Sequence, residues 1–239
     1  MRFSVLACDY DGTIAIDGVI GAAAVAALRR VRESGRRLVL VTGRTRAQLD
    51  PLAPGISLFS LLVLENGALV VDPETGEESL VGPPLPARLV SAVRGAGVGP
   101  LVCGRSICAT RVEWRDTLRR VAGGLGLAYD TVLNRQTVML LPAGVDKGSG
   151  LREALRRLGE DTASCVAAGD AENDVPLLEA AGCGIAVGDA TVELRAVARV
   201  VLPLGGTQGV EMLAGRLIAD DLASLLQAPA GRRDSSAER

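Results

Sequence analysis

Acidic pairs stand at both ends of this chain. Asp9 and Asp11 lie two residues apart in "DYDGT", directly after the apolar run "FSVLAC". Far downstream "GDAEND" brings Asp170, Asn173 and Asp174 after a second run, "SCVAA". Between them, "TGR" sets Thr42, Gly43 and Arg44 behind "RLVLV", and "ENG" sets Asn66 behind "LLVL". "GVDKGSG" holds Lys147, the single lysine of a chain that otherwise uses arginine. There is no histidine, which excludes Ser-His-Asp and Cys-His nucleophiles and histidine-ligated zinc. The five cysteines, Cys8, Cys103, Cys108, Cys165 and Cys183, form no C-x-x-C pair, and none has an arginine six residues later to hold a phosphate. They read as small core hydrophobes. Hydrolysis by this chain therefore has to use carboxylates, the lysine and an oxygen-loving metal.

At a strand end, Asp9 and Asp11 lean to the same side with Tyr10 turned away, and Gly12 permits the turn that follows. Four converging aspartates would force one to take a proton. A hard divalent cation relieves this, and carboxylates with water suit Mg²⁺. Thr42 with a neighbouring amide at a helix start, together with Lys147, then makes a cradle for a phosphoryl group. A compact ammonium fits beside phosphate and carboxylate where a wide guanidinium does not. One polar strand end would be ordinary loop chemistry; four such ends, two with paired acids, are more than that.

The elements that must position these residues are legible too. "FSVLAC", "RLVLV", "LLVL", "SCVAA", "GIAV" and "RVVL" are short, unalternated apolar runs, the pattern of strands buried on both faces of a parallel sheet. Helical patterns such as "GAAAVAALRRVRES", "GLREALRRLGE" and "NDVPLLEAAG" lie between several of them. The alternation predicts a doubly wound α/β fold, whose ligands gather at the carboxyl ends of the strands. The stretch from Pro83 to Pro142 breaks it, reading α-β-β-α-β-β between "GPPLP" and "LPAGVD". The expected division is a core over 1–82 and 144–228, an inserted domain over 83–143 and a disordered tail over 229–239.

Composition narrows the class. A net charge of -2 over 239 residues gives no reason to expect nucleic-acid binding. The longest apolar runs fall far short of the ~20 residues that span a bilayer, and the N-terminus is no secretory signal. A cytoplasmic monomer or homodimer acting on a small metabolite, with no membrane partner, is the expectation. Between Val81 and Leu141, eight arginines face three acids, a net +5. Such an insert would attract anionic substrates. Arg105, Arg111, Trp114 and Asn134, near strand ends or turns, are the candidates to meet them, while Arg119 and Arg120 read as a solvated helix surface.

"DYDGT", "TGR", a lysine opening a helix and "GDAEND", in this order, resemble the haloacid dehalogenase superfamily of aspartate-nucleophile phosphatases. The likeness runs to about residue 215. The insert resembles the cap of its Cof-type, or IIB, subfamily, which includes sucrose-phosphate, mannosyl-phosphoglycerate and archaeal phosphoglycolate phosphatases; "ENGA" is a further habit of that group. The resemblance implies a Mg²⁺-dependent phosphatase for a small phosphate monoester, either a sugar phosphate or a phospho-acid. Asp9 would be the nucleophile that becomes an aspartyl phosphate. Asp11 would be general acid and then base, its main-chain carbonyl also binding metal. Thr42 and the Gly43 amide would bind phosphate oxygens, and Lys147 would pair with phosphate and Asp9. Asp170 would ligate the metal with Asp174 close behind it, and Asn173 would orient phosphate and lysine. Arg44 and Asn66 would have supporting roles in substrate binding. A phosphosugar mutase of the same superfamily is the nearest alternative; a receiver-like phosphate-binding module fits less well, because receivers carry no large insert.

Overall fold

The structure, a computed structural model, describes residues 1–49 and 55–227. The tail expected to be disordered lies outside the described residues. Twelve strands form two sheets among them. In chain order these are β1 (Val5–Asp9), β2 (Arg37–Val41), β3 (Leu61–Leu64), β4 (Leu69–Val71), β5 (Glu78–Leu80), β6 (Val102–Cys103), β7 (Cys108–Arg111), β8 (Tyr129–Asn134), β9 (Thr137–Pro142), β10 (Cys165–Gly169), β11 (Cys183–Ala186) and β12 (Val200–Val201).

The larger sheet has the order β12-β11-β10-β1-β2-β3-β4-β5. From β12 to β3 every pairing is parallel. Every residue of β1 and β10 is buried, so side chains on both faces meet helices. Helices Ala22–Glu33 and Gly206–Asp220 pack on each other, as do Lys147–Leu158 and Val175–Ala180. This is the doubly wound arrangement that the unalternated runs require. The edge hairpin β4–β5 is antiparallel and was not apparent in the sequence. β5 is short and mostly exposed, so no apolar run marks it; its signal is the turn "DPETG", where Asp72 accepts the amides of Glu74 and Thr75 at 2.8 and 3.1 Å.

The smaller sheet, β6-β7-β9-β8, is antiparallel throughout. Helices Ala87–Gly95 and Arg115–Gly124 cover one face, closing a separate core of Leu89, Val93, Leu118, Val138 and Leu140. A third cluster of Ala68, Ile107, Met139, Leu141 and Val145 joins the two sheets. Among the described residues no helix is long and apolar enough to cross a membrane.

Candidate active site

Four parallel strands deliver their carboxyl ends to one edge: β1 ends in Asp9, β2 runs into Thr42, β3 into Glu65 and Asn66, and β10 into Asp170. The helix that starts at Lys147 arrives beside them. Its first turn is fixed by a reciprocal cap: Asp146 accepts the Ser149 amide at 2.7 Å, and the Ser149 hydroxyl accepts the Asp146 amide at 3.0 Å, worth about 1 kcal/mol. Gly67, at φ 105°, approaches the Asp146 carbonyl so closely that no Cβ could fit. The turn after β3 thus sets where the lysine begins.

Lys147 is 1% exposed. Its Nζ donates to Asp9 at 2.6 Å and to Asp174 at 2.5 Å. Burial works against the charged ammonium, and the helix dipole opposes a cation at this end, but Asp174 and Asp9 outweigh burial and raise its pKa. Asp174 spends its other oxygen on the amides of Asp170 and Ala171, both at 3.0 Å. Asp170 accepts from the Thr13 hydroxyl at 3.2 Å and from the Arg135 guanidinium, which reaches over from the β8–β9 turn. The Arg135 amide also donates to Glu172 at 2.7 Å.

Asp9, Asp170 and Asp174 are all buried, and one oxygen of each lies within 4.8 Å of the others. Burial is the main force raising the Asp9 carboxyl, with Asp174 adding to it and Lys147 opposing it. Asp170 is raised by burial, against the pull of Arg135. Buried, mutually repelling oxygen donors fit a hard divalent cation. The proton linkage has a definite sign. Both groups hold protons above the ordinary value of 3.8, and a cation must displace those protons. Affinity for a divalent cation should therefore tighten as the pH rises above the ordinary carboxylate range, with proton release; calorimetry in buffers of different ionisation enthalpy measures both. Affinity independent of pH would contradict the raised carboxyls.

Asp11 is placed differently. Its carboxylate is gripped bidentately by Arg44, Nε at 2.8 Å and Nη2 at 2.7 Å, and stands outside the acidic trio. The Thr42 hydroxyl accepts the Arg44 amide at 3.2 Å. Tyr10 is buried, and its hydroxyl donates to the Gly18 carbonyl at 3.0 Å. Asn173 Nδ2 donates to Asn66 Oδ1 at 3.0 Å. Asn66 Nδ2 and Asn173 Oδ1 have no hydrogen-bond partner among the described residues.

A cavity of about 380 Å³ opens above this edge. Its floor is Asp9, Asp11, Thr42, Gly43 and Arg44, and its roof, from the smaller sheet, includes Ala109, Arg111, Asn134, Thr137 and Met139. Of the four insert residues singled out in the sequence, Arg111 and Asn134 line this cavity. Arg105 and Trp114 do not: Arg105 pairs with Glu78 at 3.3 Å, and the Trp114 indole donates to the Gly99 carbonyl at 3.1 Å while packing on the smaller sheet's core. Arg119 is exposed and bonds Thr131. Sequence reasoning missed Thr13, Glu65 and Arg135. Thr13 follows the Asp pair directly, which is a usable signal; Arg135 is 35 residues from Asp170, and only the register of β8 with β9 brings it there.

A doubly wound α/β sheet thus presents a buried aspartate trio, a hydroxyl and a lysine at its carboxyl edge. The chain belongs to the haloacid dehalogenase-like hydrolases, whose family profile matches residues 6–92 and 126–212. Phosphoglycolate phosphatase of Methanopyrus kandleri is 30% identical over 229 residues, covering 91% of this chain and 98% of that protein. Among solved structures, a haloacid dehalogenase-like hydrolase from Bacteroides thetaiotaomicron superposes with a TM-score of 0.75 at 21% identity, covering 90% of this chain and 99% of the other. A subclass IIB sugar phosphatase does so at 0.71 and 17%, over 89% and 97%. These two show the shared fold.

Proposed function

We propose that the protein is a phosphatase that hydrolyses a small phosphate monoester by transferring the phosphoryl group to Asp9. One observation carries this reading: Asp9 alone of the aspartate trio borders the cavity, so it can meet both a cation and a substrate. Residues 83–143 then act as a cap over a core of 1–82 and 144–228. Mg²⁺ would suit the donors best, and Asp9, Asp170 and Asp174 with the Asp11 main-chain carbonyl would hold it. When bound, it supplies positive charge beside the transferring phosphoryl oxygens.

The chain's own groups divide the work. An Asp9 oxygen attacks phosphorus in line, and the bond to the ester oxygen breaks as the aspartyl phosphate forms. Lys147 favours the ionised form of Asp9 against burial and adds a point charge at the phosphoryl oxygens. Thr42 and Gly43 face the same end of the cavity and orient the phosphate. Asp11, once it leaves Arg44 and takes up a proton from solvent, gives that proton to the departing alkoxide; the carboxylate then takes a proton from the water that attacks the aspartyl phosphate, which releases phosphate and restores Asp9. Asp11→Asn should therefore cost about 10²–10⁴-fold in turnover of an alkyl phosphate. It should cost far less in the first-turnover release of 2,4-dinitrophenolate from 2,4-dinitrophenyl phosphate, whose leaving group needs no proton. Equal losses in first-turnover alcohol release from both esters would remove Asp11 from the acid role.

Arg111 in the roof and the +5 insert favour a substrate with a second negative group, and a phosphoglycolate-like acid matches what the curated relative is named for. The test is phosphate release from a panel of esters with and without Mg²⁺. Acidic esters should exceed neutral ones by about tenfold. Equal rates would remove the charge preference, and no release from any ester with Mg²⁺ would end the phosphatase reading. Isomerised sugar phosphate in place of free phosphate would favour the mutase.

A further inference from the structure

Glu65 touches none of the reacting groups, yet it is a buried carboxylate, 1% exposed, in a left-handed backbone position at φ 54°. Both its oxygens are taken by main-chain amides of the β6–β7 turn: Oε1 by Arg105 and Oε2 by Ser106, each at 2.8 Å. Gly104, next in that turn, lies so close to the carboxylate that a Cβ there would collide with it. The same turn is tied to the chain entering the insert. Ser106 Oγ donates to the Pro83 carbonyl at 2.9 Å, and the Leu85 amide donates to the Arg105 carbonyl at 2.7 Å. On the other side, the Glu65 amide donates to the Arg44 carbonyl at 3.0 Å, and the Asn66 amide to the Thr42 carbonyl at 2.9 Å. One side chain thus joins a strand-end loop that is hydrogen-bonded to the cavity floor with the hairpin that carries part of its roof.

We propose that Glu65 is a positioning residue: the fixed joint that sets the β6–β7 wall, with Arg111 at its end, over the Thr42–Arg44 floor, and so governs how tightly the non-phosphate part of a substrate is held. The assignment of substrate effects rests on the phosphatase reading above; the joint itself does not. A carboxylate suits the place because it accepts twice and donates nothing. Glu65→Gln keeps the volume but turns a donor towards one of the two amides, so one charge-assisted bond is lost and one buried amide is left unpaired. A solvated role would predict no effect from that change, and a purely stabilising role would lower activity on all substrates alike.

The test uses the full chain, wild type against Glu65→Gln and Glu65→Ala, with two readouts. Hydrogen exchange at the Arg105 and Ser106 amides should quicken by about tenfold or more in Glu65→Gln. With Mg²⁺ present, KM for phosphoglycolate should rise about tenfold, while kcat for that ester and kcat/KM for p-nitrophenyl phosphate stay within about twofold. Wild-type exchange rates at both amides in the Gln variant would overturn the joint. Faster exchange with KM unchanged, or a parallel loss on both esters, would overturn its positioning role. If Glu65→Ala fails to fold, the Gln variant decides alone. If the wild type cleaves neither ester, the phosphoglycolate assignment fails, and the exchange rates still decide whether Glu65 is the joint.

Discussion

Asp9→Asn should abolish turnover, by at least on the order of 10⁴-fold, while leaving the fold intact. An amide oxygen is a poor nucleophile, and no other member of the acidic trio borders the cavity. The structural cost is small because Lys147 keeps Asp174 at 2.5 Å and the substitution is isosteric. Burial, Asp174 and Asp170 all push the Asp9 carboxyl up, so an ionised Asp9 is held in the fold at a cost. A neutral side chain should melt no lower than wild type when both are kept in chelator at neutral pH. The measurements are steady-state release of phosphate and thermal melts of the chelated proteins. Activity within about tenfold of wild type would place the nucleophile elsewhere.

Lys147→Arg should remove most turnover, on the order of 10²-fold or more, although the positive charge is retained. The ammonium sits 1% exposed between two carboxylates at 2.6 and 2.5 Å, and the guanidinium is planar, wider and set on a different stem. Fitting it would displace Asp9, Asp174 or the helix start, at about 1–3 kcal/mol of overpacking, which a chain of this size can absorb. Lys147→Ala is the harsher change for stability, because it leaves buried carboxylates without their cation, typically about 3–5 kcal/mol. The pair of variants therefore separates charge from shape: the arginine protein folds and turns over slowly, the alanine protein is the less stable of the two. Near wild-type kcat in Lys147→Arg would show that a compact ammonium is not what the site requires.

The aspartates and Thr42 were legible because they follow buried parallel strands. An unalternated run such as "SCVAA" can only be a fully covered strand or a buried helix segment, and polar residues at several such ends mark one edge of one sheet. The lysine was legible through its rarity. What the sequence left hidden is long-range and geometric. Glu65 sits beside Asn66 at a strand end, where a glutamate usually reads as solvated, and its partners are main-chain amides 40 and 41 residues away. Arg135 was one of eight arginines in the insert, and its reach to Asp170 depends on the β8–β9 register and a left-handed turn residue. Trp114 was misplaced because it ends a short turn leading into Arg115–Gly124, so its ring joins the insert's own core. Arg44 was expected to bind substrate; its bidentate grip on Asp11 is a contact that spacing alone does not show.

The most direct test is chemical trapping of the covalent species. The wild-type protein is mixed with excess phosphoglycolate and Mg²⁺, quenched in acid within its first turnovers, and reduced with borohydride before digestion. An aspartyl phosphate at position 9 is reduced to homoserine, so the peptide spanning Asp9 should carry that change in proportion to the phosphate trapped, and Asp9→Asn should show none. Rapid phosphate release with Asp9 unreduced, or with reduction at another carboxylate, would contradict attack by Asp9 on phosphorus.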